Sequence, residues 1–191
     1  MYRVQSLPIF GRFAGFACAF STLVMVSAGL SVTPVTATEA LAAVVGPSGL
    51  PLPRFVSLKS GRVNFRIGPG RDYPVQWLYL KPGLPVEIVQ EYDNWRRIRD
   101  SEGTEGWVLQ TLLTGKRTAL TAPWTTKDSG MIGLYDHKNE AAAKVADMEP
   151  GVMGKIDDCD GVWCTFESAG YDGYVKQTDI WGAYPGETFE D

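Results

Sequence analysis

Between residues 63 and 109 the chain falls into short runs rich in β-branched and aromatic residues, at 63–67, 76–80, 86–92, 95–99 and 106–109, each bounded by turn residues. Runs of this length and composition read as strands. Lys81-Pro82-Gly83 is a tight turn, Asp93-Asn94 a two-residue hairpin connection, and 101–104 closes the next hairpin, so successive strands are antiparallel neighbours. Gly68 to Asp72 makes one longer loop. Five short strands of this kind predict a small barrel.

The pattern then recurs. Gly83 and Gly151, Ile88 and Ile156, Pro82 and Pro150, and Trp95 and Trp163 are 68 residues apart, while Gly106/Gly173, Val108/Val175 and Gln110/Gln177 follow at 67. Self-similarity at a fixed offset means that one unit is used twice. Strands of the second unit are expected at 130–135, 152–158, 163–167 and 173–176, with Asp160-Gly161 in the place of Asp93-Asn94. Where the first unit has its long loop, the second has 136–144, Asp-His-Lys-Asn-Glu-Ala-Ala-Ala-Lys, a segment whose propensity predicts a short helical turn. Units this small rarely supply more than about 3–5 kcal/mol each. The two are therefore expected to pack together, with Trp124, or Trp181 and Tyr184, in the seam.

Upstream the pattern changes. Arg3 and Arg12 are the only charges of the opening stretch, and 13–32 is apolar or small apart from Ser and Thr, which reads as an export signal with a cut after Ala37, or later at Ala40 or Ala43. About 20 such residues also suffice to span a bilayer, so an uncleaved anchor is the alternative. Either way the rest is expected outside the cytoplasm, periplasmic or secreted, or anchored in the inner membrane and facing the periplasm. The organisation read from the chain is thus a signal over 1–37, a Pro/Gly-rich linker over 38–54, a first unit over 55–115, a linker over 116–129, a divergent second unit over 130–184 and a tail over 185–191.

Composition, 45% hydrophobic and 21% charged in 191 residues, is that of a folded chain. Cys18 falls inside the apolar leader, which leaves Cys159 and Cys164, an even pair in an oxidising compartment, to form a disulfide. Such a short loop stabilises by about 2 kcal/mol. Alternation counted from Ile156 puts Cys159 on the polar face and Cys164 with Phe166, so the bridge is expected to need a bulge. A metal site is not expected: there is no second Cys pair, and His137 is the single histidine. The acids Asp157, Asp158 and Asp160 do not follow a calcium-loop spacing.

Charge divides unevenly. Residues 55–117 hold ten Lys/Arg against seven Asp/Glu, and 118–191 hold five against fourteen. The net negative balance argues against a nucleic-acid partner. The asymmetry suits two units facing each other with complementary fields, or an anionic ligand on the first.

The residues Val63-Asn64-Phe65-Arg66-Ile67-Gly68-Pro69-Gly70, Leu80-Lys81-Pro82-Gly83, Trp95-Arg96-Arg97-Ile98 and Glu105-Gly106-Trp107-Val108, in this order and spacing, resemble the bacterial SH3-like domain over 58–113. The second unit is similar through Met148-Glu149-Pro150-Gly151, Trp163 and Gly173-Tyr174-Val175, and lacks the Asn-x-Arg-x-Gly-Pro stretch. The resemblance implies a mainly β fold of two tandem SH3-like barrels. It assigns Asn64, Arg66, Gly68 and Pro69 to the long loop, and implies binding of peptides or cell-wall material.

For candidate sites, alternation sets Ile98 and the stem of Arg96 on one face of their strand and Trp95, Arg97 and Arg99 on the other. Trp95 is therefore expected on the outer surface beside two guanidiniums, a setting that suits an acidic or carboxylate-bearing peptide. Tyr73 and Tyr92 are expected to border the same groove. Arg66 either holds the loop through carbonyls or meets an anion. His137 lies in a polar stretch with no nucleophile beside it, so no enzyme, catalytic residue or cofactor is expected. The expectation is a non-catalytic periplasmic binding or adaptor protein whose partner is a peptide, an envelope protein or a peptidoglycan stem peptide. The alternatives are a structural subunit of an envelope complex and, more remotely, a wall hydrolase or amidase. Membrane contact is expected only through an uncleaved N-terminus.

Overall fold

A computed structural model describes residues 44–126 and 130–190. The export segment, Cys18 and the three cleavage positions lie outside the described residues.

The first unit is built from β1 (Val44–Val45), β2 (Pro51–Leu52), β3 (Arg54–Leu58), β4 (Val63–Arg66), β5 (Val75–Tyr79), β6 (Pro85–Tyr92), β7 (Trp95–Arg99), β8 (Glu105–Leu109), a 3-10 turn Gln110–Leu112 and β9 (Leu113–Thr114). Strands β4 to β8 are the five that alternation marks out. With β3 and β9 they form one antiparallel sheet in the order β5-β4-β8-β7-β6-β3-β9. Its inward residues Val63, Phe65, Ile98, Val86 and Val108 are buried together. Each side chain of this kind contributes about 1.5–3 kcal/mol on burial.

The second unit comprises β10 (Thr118–Thr121), β11 (Ile132–Tyr135), β12 (Lys144–Met148), β13 (Met153–Lys155), β14 (Asp158–Asp160), β15 (Trp163–Ser168), β16 (Tyr171–Lys176), a 3-10 turn Gln177–Asp179, β17 (Ile180–Trp181) and β18 (Thr188–Glu190). Its sheet runs β12-β11-β16-β15-β13-β10-β17, strand for strand the order of the first. The duplication is thus topological. Residues that repeat in sequence occupy matching places: Trp95 and Trp163 are both buried, as are Ile88 and Ile156, and Val108 and Val175. Gly106 and Gly173 repeat because β4 and β11 cross close by: a Cβ on either would come within 2.8 Å of the Arg66 carbonyl or 2.5 Å of the Tyr135 carbonyl.

Three expectations change. No helix forms over 136–144 beyond one turn, in which the Ala142 N–H reaches the Asn139 carbonyl at 3.1 Å; the Asn139 side chain accepts the Ala141 N–H at 2.9 Å, and the Asp136 N–H reaches the Ala143 carbonyl at 3.0 Å. The segment lies between the paired strands β11 and β12, and Lys144 opens a strand instead. The segment 116–129 carries β10, which lies between β13 and β17, and the tail 185–191 supplies β18, which pairs with β14. The linker before Phe55 is also tied down: β1 pairs with β2, and Ser48 in their turn donates its N–H and hydroxyl to Glu91 at 2.8 and 2.7 Å.

Cys159 and Cys164 are bridged and face each other across β14 and β15. The expected bulge is present as a break between β13 and β14. There the Thr165 hydroxyl accepts the N–H groups of Asp157 and Asp158 at 3.2 and 3.0 Å, and Cys159 turns into the core instead of the polar face.

The units meet around Phe55. Its ring lies 4.9 Å from Trp181 and 4.7 Å from Tyr184, and the Arg117 guanidinium, 5.8 Å from that ring, pairs with Glu187 at 2.9 Å. The Tyr184 hydroxyl donates to the buried Glu87 carboxylate at 2.7 Å. Burial first, and then that bond, raise the Tyr184 hydroxyl well above its ordinary pKa. Trp124, the other seam candidate, is exposed.

Candidate functional site

Antiparallel partners share a face of the sheet, so pairing fixes the outer surface of the first unit. Arg66 is opposite Trp107, Trp107 opposite Arg97, and Trp95 lies between Tyr92 and Leu109. Period-two alternation along β4 then puts Asn64 and Arg66 on the same side, with Arg62 one step before the strand. The loop after β4 adds Arg71, and the 3-10 turn adds Leu112. These elements enclose a depression of about 350 Å³ lined by Arg62, Asn64, Arg66, Arg71, Trp95, Leu109 and Leu112.

The loop is held by Arg66. Its Nη1 donates to the carbonyls of Arg71 at 3.0 Å and Tyr73 at 2.6 Å. Gly68 takes no side chain because the Tyr73 ring lies against it. Clamping the loop brings Arg71 to the pocket. Among the described residues no acid lines this pocket, and the guanidiniums of Arg62 and Arg71 make no ion pair. Three arginines stand around one indole without a counter-charge, and their forked donors are of the kind that suits an anion.

Of the five ligand-binding residues expected from sequence, only Trp95 lines this pocket. Its exposure is corrected: the residue faces outward as expected but is only 8% accessible. Alternation reports the face and not its accessibility, and Leu109, Leu112, Asn64 and Arg66 line the same depression as Trp95. Arg97 and Arg99 are committed to the chain itself. Arg97 pairs with Glu105 at 2.8 Å, and the Arg99 Nε donates to Glu87 at 2.7 Å, a bond that raises the Arg99 pKa. Tyr92 is exposed and meets Trp107 edge to face at 6.4 Å. Tyr73 is half exposed on the clamped loop and outside the lining. Arg62 and Arg71 were missed by sequence reasoning. The signal for Arg62 was available, since 62, 64 and 66 alternate onto one face.

The second unit does not reproduce the pocket. Tyr135 takes the place of Arg66, opposite Tyr174 as Arg66 is opposite Trp107, and its ring meets Trp163 at 5.6 Å. Gly133 stands where Asn64 does, and the Tyr135 ring folds over it so closely that a Cβ at Gly133 would lie 2.7 Å from that ring. The cation of the neighbouring loop is spent: Lys138 pairs with Asp158 at 3.3 Å and Asp160 at 3.0 Å. Asp160 in turn accepts the N–H groups of Val162 and Trp163. The acids weighed for calcium are thus bound to lysines and to the hairpin turn, with Asp157 on Lys155 at 2.7 Å. His137 is 80% exposed beside Asp136.

Comparison with known proteins returns the bacterial SH3 domain, whose family model matches residues 59–115 and again 129–182, together more than half of the chain. No curated protein matches. Among solved structures the chain is similar to NlpC2 from Trichomonas vaginalis, at 13% identity over 69% of this chain and 49% of that one with a TM-score of 0.29. It is also similar to NlpC1 from the same organism, at 13% identity over 75% and 50% with a TM-score of 0.30. The chain spans about half the length of these structures, and neither superposition is close enough to carry an argument.

Proposed function

The chain belongs to the bacterial SH3 domain family, and on that premise we propose that its first unit is a non-catalytic binding module that takes the carboxylate of a peptide into the pocket of Arg62, Arg66 and Arg71. The observation that carries this reading is the set of uncompensated guanidiniums around Trp95. Arg62 and Arg71 present forked donors to a carboxylate, each charge-assisted bond contributing about 1.5–3 kcal/mol. Arg66 is already fixed by the loop carbonyls, so it adds positive potential without further ordering. The Asn64 amide offers a donor and an acceptor to the peptide backbone, and Leu109 and Leu112 beside the edge of Trp95 supply an apolar surface for the chain behind the carboxylate.

Wall stem peptides and acidic protein segments both carry such a carboxylate, in keeping with the peptide and wall ligands that the family resemblance implies. The second unit, with Tyr135 over its corresponding depression, acts as a scaffold for the first. The export-type N-terminus and the Cys159–Cys164 bridge support a place outside the cytoplasm, in the periplasm. No helix among the described residues is long and apolar enough to cross a membrane.

Calorimetric titration with a short acidic peptide, free and amidated at its C-terminus, tests this reading. Arg62→Ala with Arg71→Ala is expected to weaken binding by about tenfold or more, one decade corresponding to about 1.4 kcal/mol. Amidation of the peptide or added salt is expected to act in the same direction. Equal affinity in the double variant would remove the pocket from the proposal.

A further inference from the structure

Strand β5 ends the sheet of the first unit, with β4 on one side and no strand on the other among the described residues. A free edge carries a row of unpaired backbone donors and acceptors, and edges are ordinarily guarded by charge, by proline or by cover. This one is not: Val75-Gln76-Trp77-Leu78-Tyr79 holds no charge and no proline. The duplicated strand shows the contrast. In β12 the same edge carries Lys144 and Asp147, paired with each other at 2.6 Å.

Trp77 adds a second departure. Its cross-strand partner Phe65 is wholly buried, yet Trp77 itself is 62% exposed, because the side chain projects past the core to the mouth of a cavity of about 380 Å³ between β5 and β6. Tyr79, Leu84, Val86 and Leu120 give the cavity apolar walls, and Asp100 and Glu102 stand at it, with no Lys or Arg in the lining. Asp100 is held in place: its Oδ2 accepts the Tyr79 hydroxyl at 2.8 Å, and its Oδ1 accepts the N–H groups of Glu102 and Thr104 at 3.0 and 2.9 Å. Glu102 is exposed, and its carboxylate has no partner among the described residues.

We propose that the edge of β5 is a docking site for an extended basic segment of a partner protein, added as a further strand, with an apolar side chain in the cavity and a flanking Lys or Arg between the Trp77 indole and the carboxylates of Asp100 and Glu102. Backbone pairing supplies the affinity of such an addition and the pocket under alternate side chains supplies the choice of partner. The indole face and two anions select a cation. The site is separate from the arginine pocket and opposite to it in charge, so one unit has places for an acidic ligand and a basic one.

The test uses the full chain and a labelled peptide, acetyl-Lys-Val-Arg-Val-Lys-amide, followed by fluorescence anisotropy. Two controls accompany it: the same peptide with every cation replaced by Gln, and the basic peptide methylated on alternate backbone nitrogens. Binding of the basic peptide alone is expected, weakened about tenfold or more by Trp77→Ala and by Glu102→Gln, and unchanged by Arg62→Ala with Arg71→Ala. Both Trp77 and Glu102 are exposed, so neither change disturbs the core. Binding of the neutral peptide as tightly, retention of the methylated one, or indifference to both variants would overturn the proposal. So would sedimentation showing that Trp77 instead drives pairing with a second copy of the chain.

Discussion

Tyr135 stands in the second unit where Arg66 stands in the first, each opposite the corresponding residue of the neighbouring strand, Tyr174 or Trp107. That difference separates the outer surfaces of the two units. The arginine reaches outward to clamp a loop and leaves a basic depression open; the tyrosine lies back on Gly133 and Trp163 and fills it.

Placing the second unit's residue in the first is therefore expected to close the site. Arg66→Tyr releases the carbonyls of Arg71 and Tyr73, at a cost of about 1 kcal/mol for an exposed bonded pair. Amide hydrogen exchange over 67–74 should quicken while that of β6 and β7 stays as it is, and the acidic peptide should no longer bind. Unaltered exchange in the loop would mean that Arg66 does not hold it.

Acid sensitivity follows from two carboxylates. Burial opposes ionisation of Glu91, but hydrogen bonds from Arg54 and Ser48 and the charge of Arg96 outweigh it and bring the carboxyl from 4.5 to about 2. The N–H groups of Trp163 and Val162, and then Lys138, bring Asp160 from 3.8 to about 2. A carboxyl lowered on folding stabilises above its unfolded pKa, and the contribution fades as pH falls through the folded value. Urea unfolding should thus show a plateau above pH 4.5 and a decline from there toward pH 2. Glu91→Gln should lower the plateau and make the decline shallower. A variant with the wild-type slope would contradict the assignment.

The seam is expected to make the two units unfold as one. Phe55→Ala removes the ring shared by Trp181 and Tyr184, a loss of about 3–5 kcal/mol for a buried Phe, and calorimetry should then resolve two transitions where the native chain gives one. Tyr184→Phe leaves Glu87 one donor short, a milder loss of about 1–2 kcal/mol. Two transitions already in the native protein would show that the contact contributes little.

The disulfide closes a short loop, so Cys159→Ala with Cys164→Ala is expected to cost only about 2 kcal/mol. The change should be confined to β14, β15 and β18, and peptide binding to the first unit should persist. Loss of that binding would tie the bridge to the site in a way the fold does not suggest.

Much of the fold was legible in the chain because strand alternation and turn residues are local signals: β4 to β8 and the Asp93-Asn94 hairpin follow from them directly. Strand β3 was hidden by its proline-rich approach, and β10 by a segment that reads as a connection, since each depends on a partner far away in sequence. Strand β12 was obscured because its flanking loop has helical propensity, while the strand itself is set by pairing with β11. At the site, alternation placed Trp95, Arg97 and Arg99 on the outer face. It carried no information on what covers the indole, or on Glu87 and Glu105 claiming the two arginines. Arg71 became a pocket residue only through a loop clamped by Arg66.

The central claim is that the first unit holds a carboxylate at Arg62, Arg71 and Trp95, and nuclear magnetic resonance of the labelled chain titrated with an acidic peptide tests it most directly. The account expects the largest shifts at the Arg62 and Arg71 side-chain Nε–H groups, the Asn64 amide and the Trp95 indole N–H, with the second unit silent. Shifts centred on Arg97 and Arg99, or around Trp163, would contradict it.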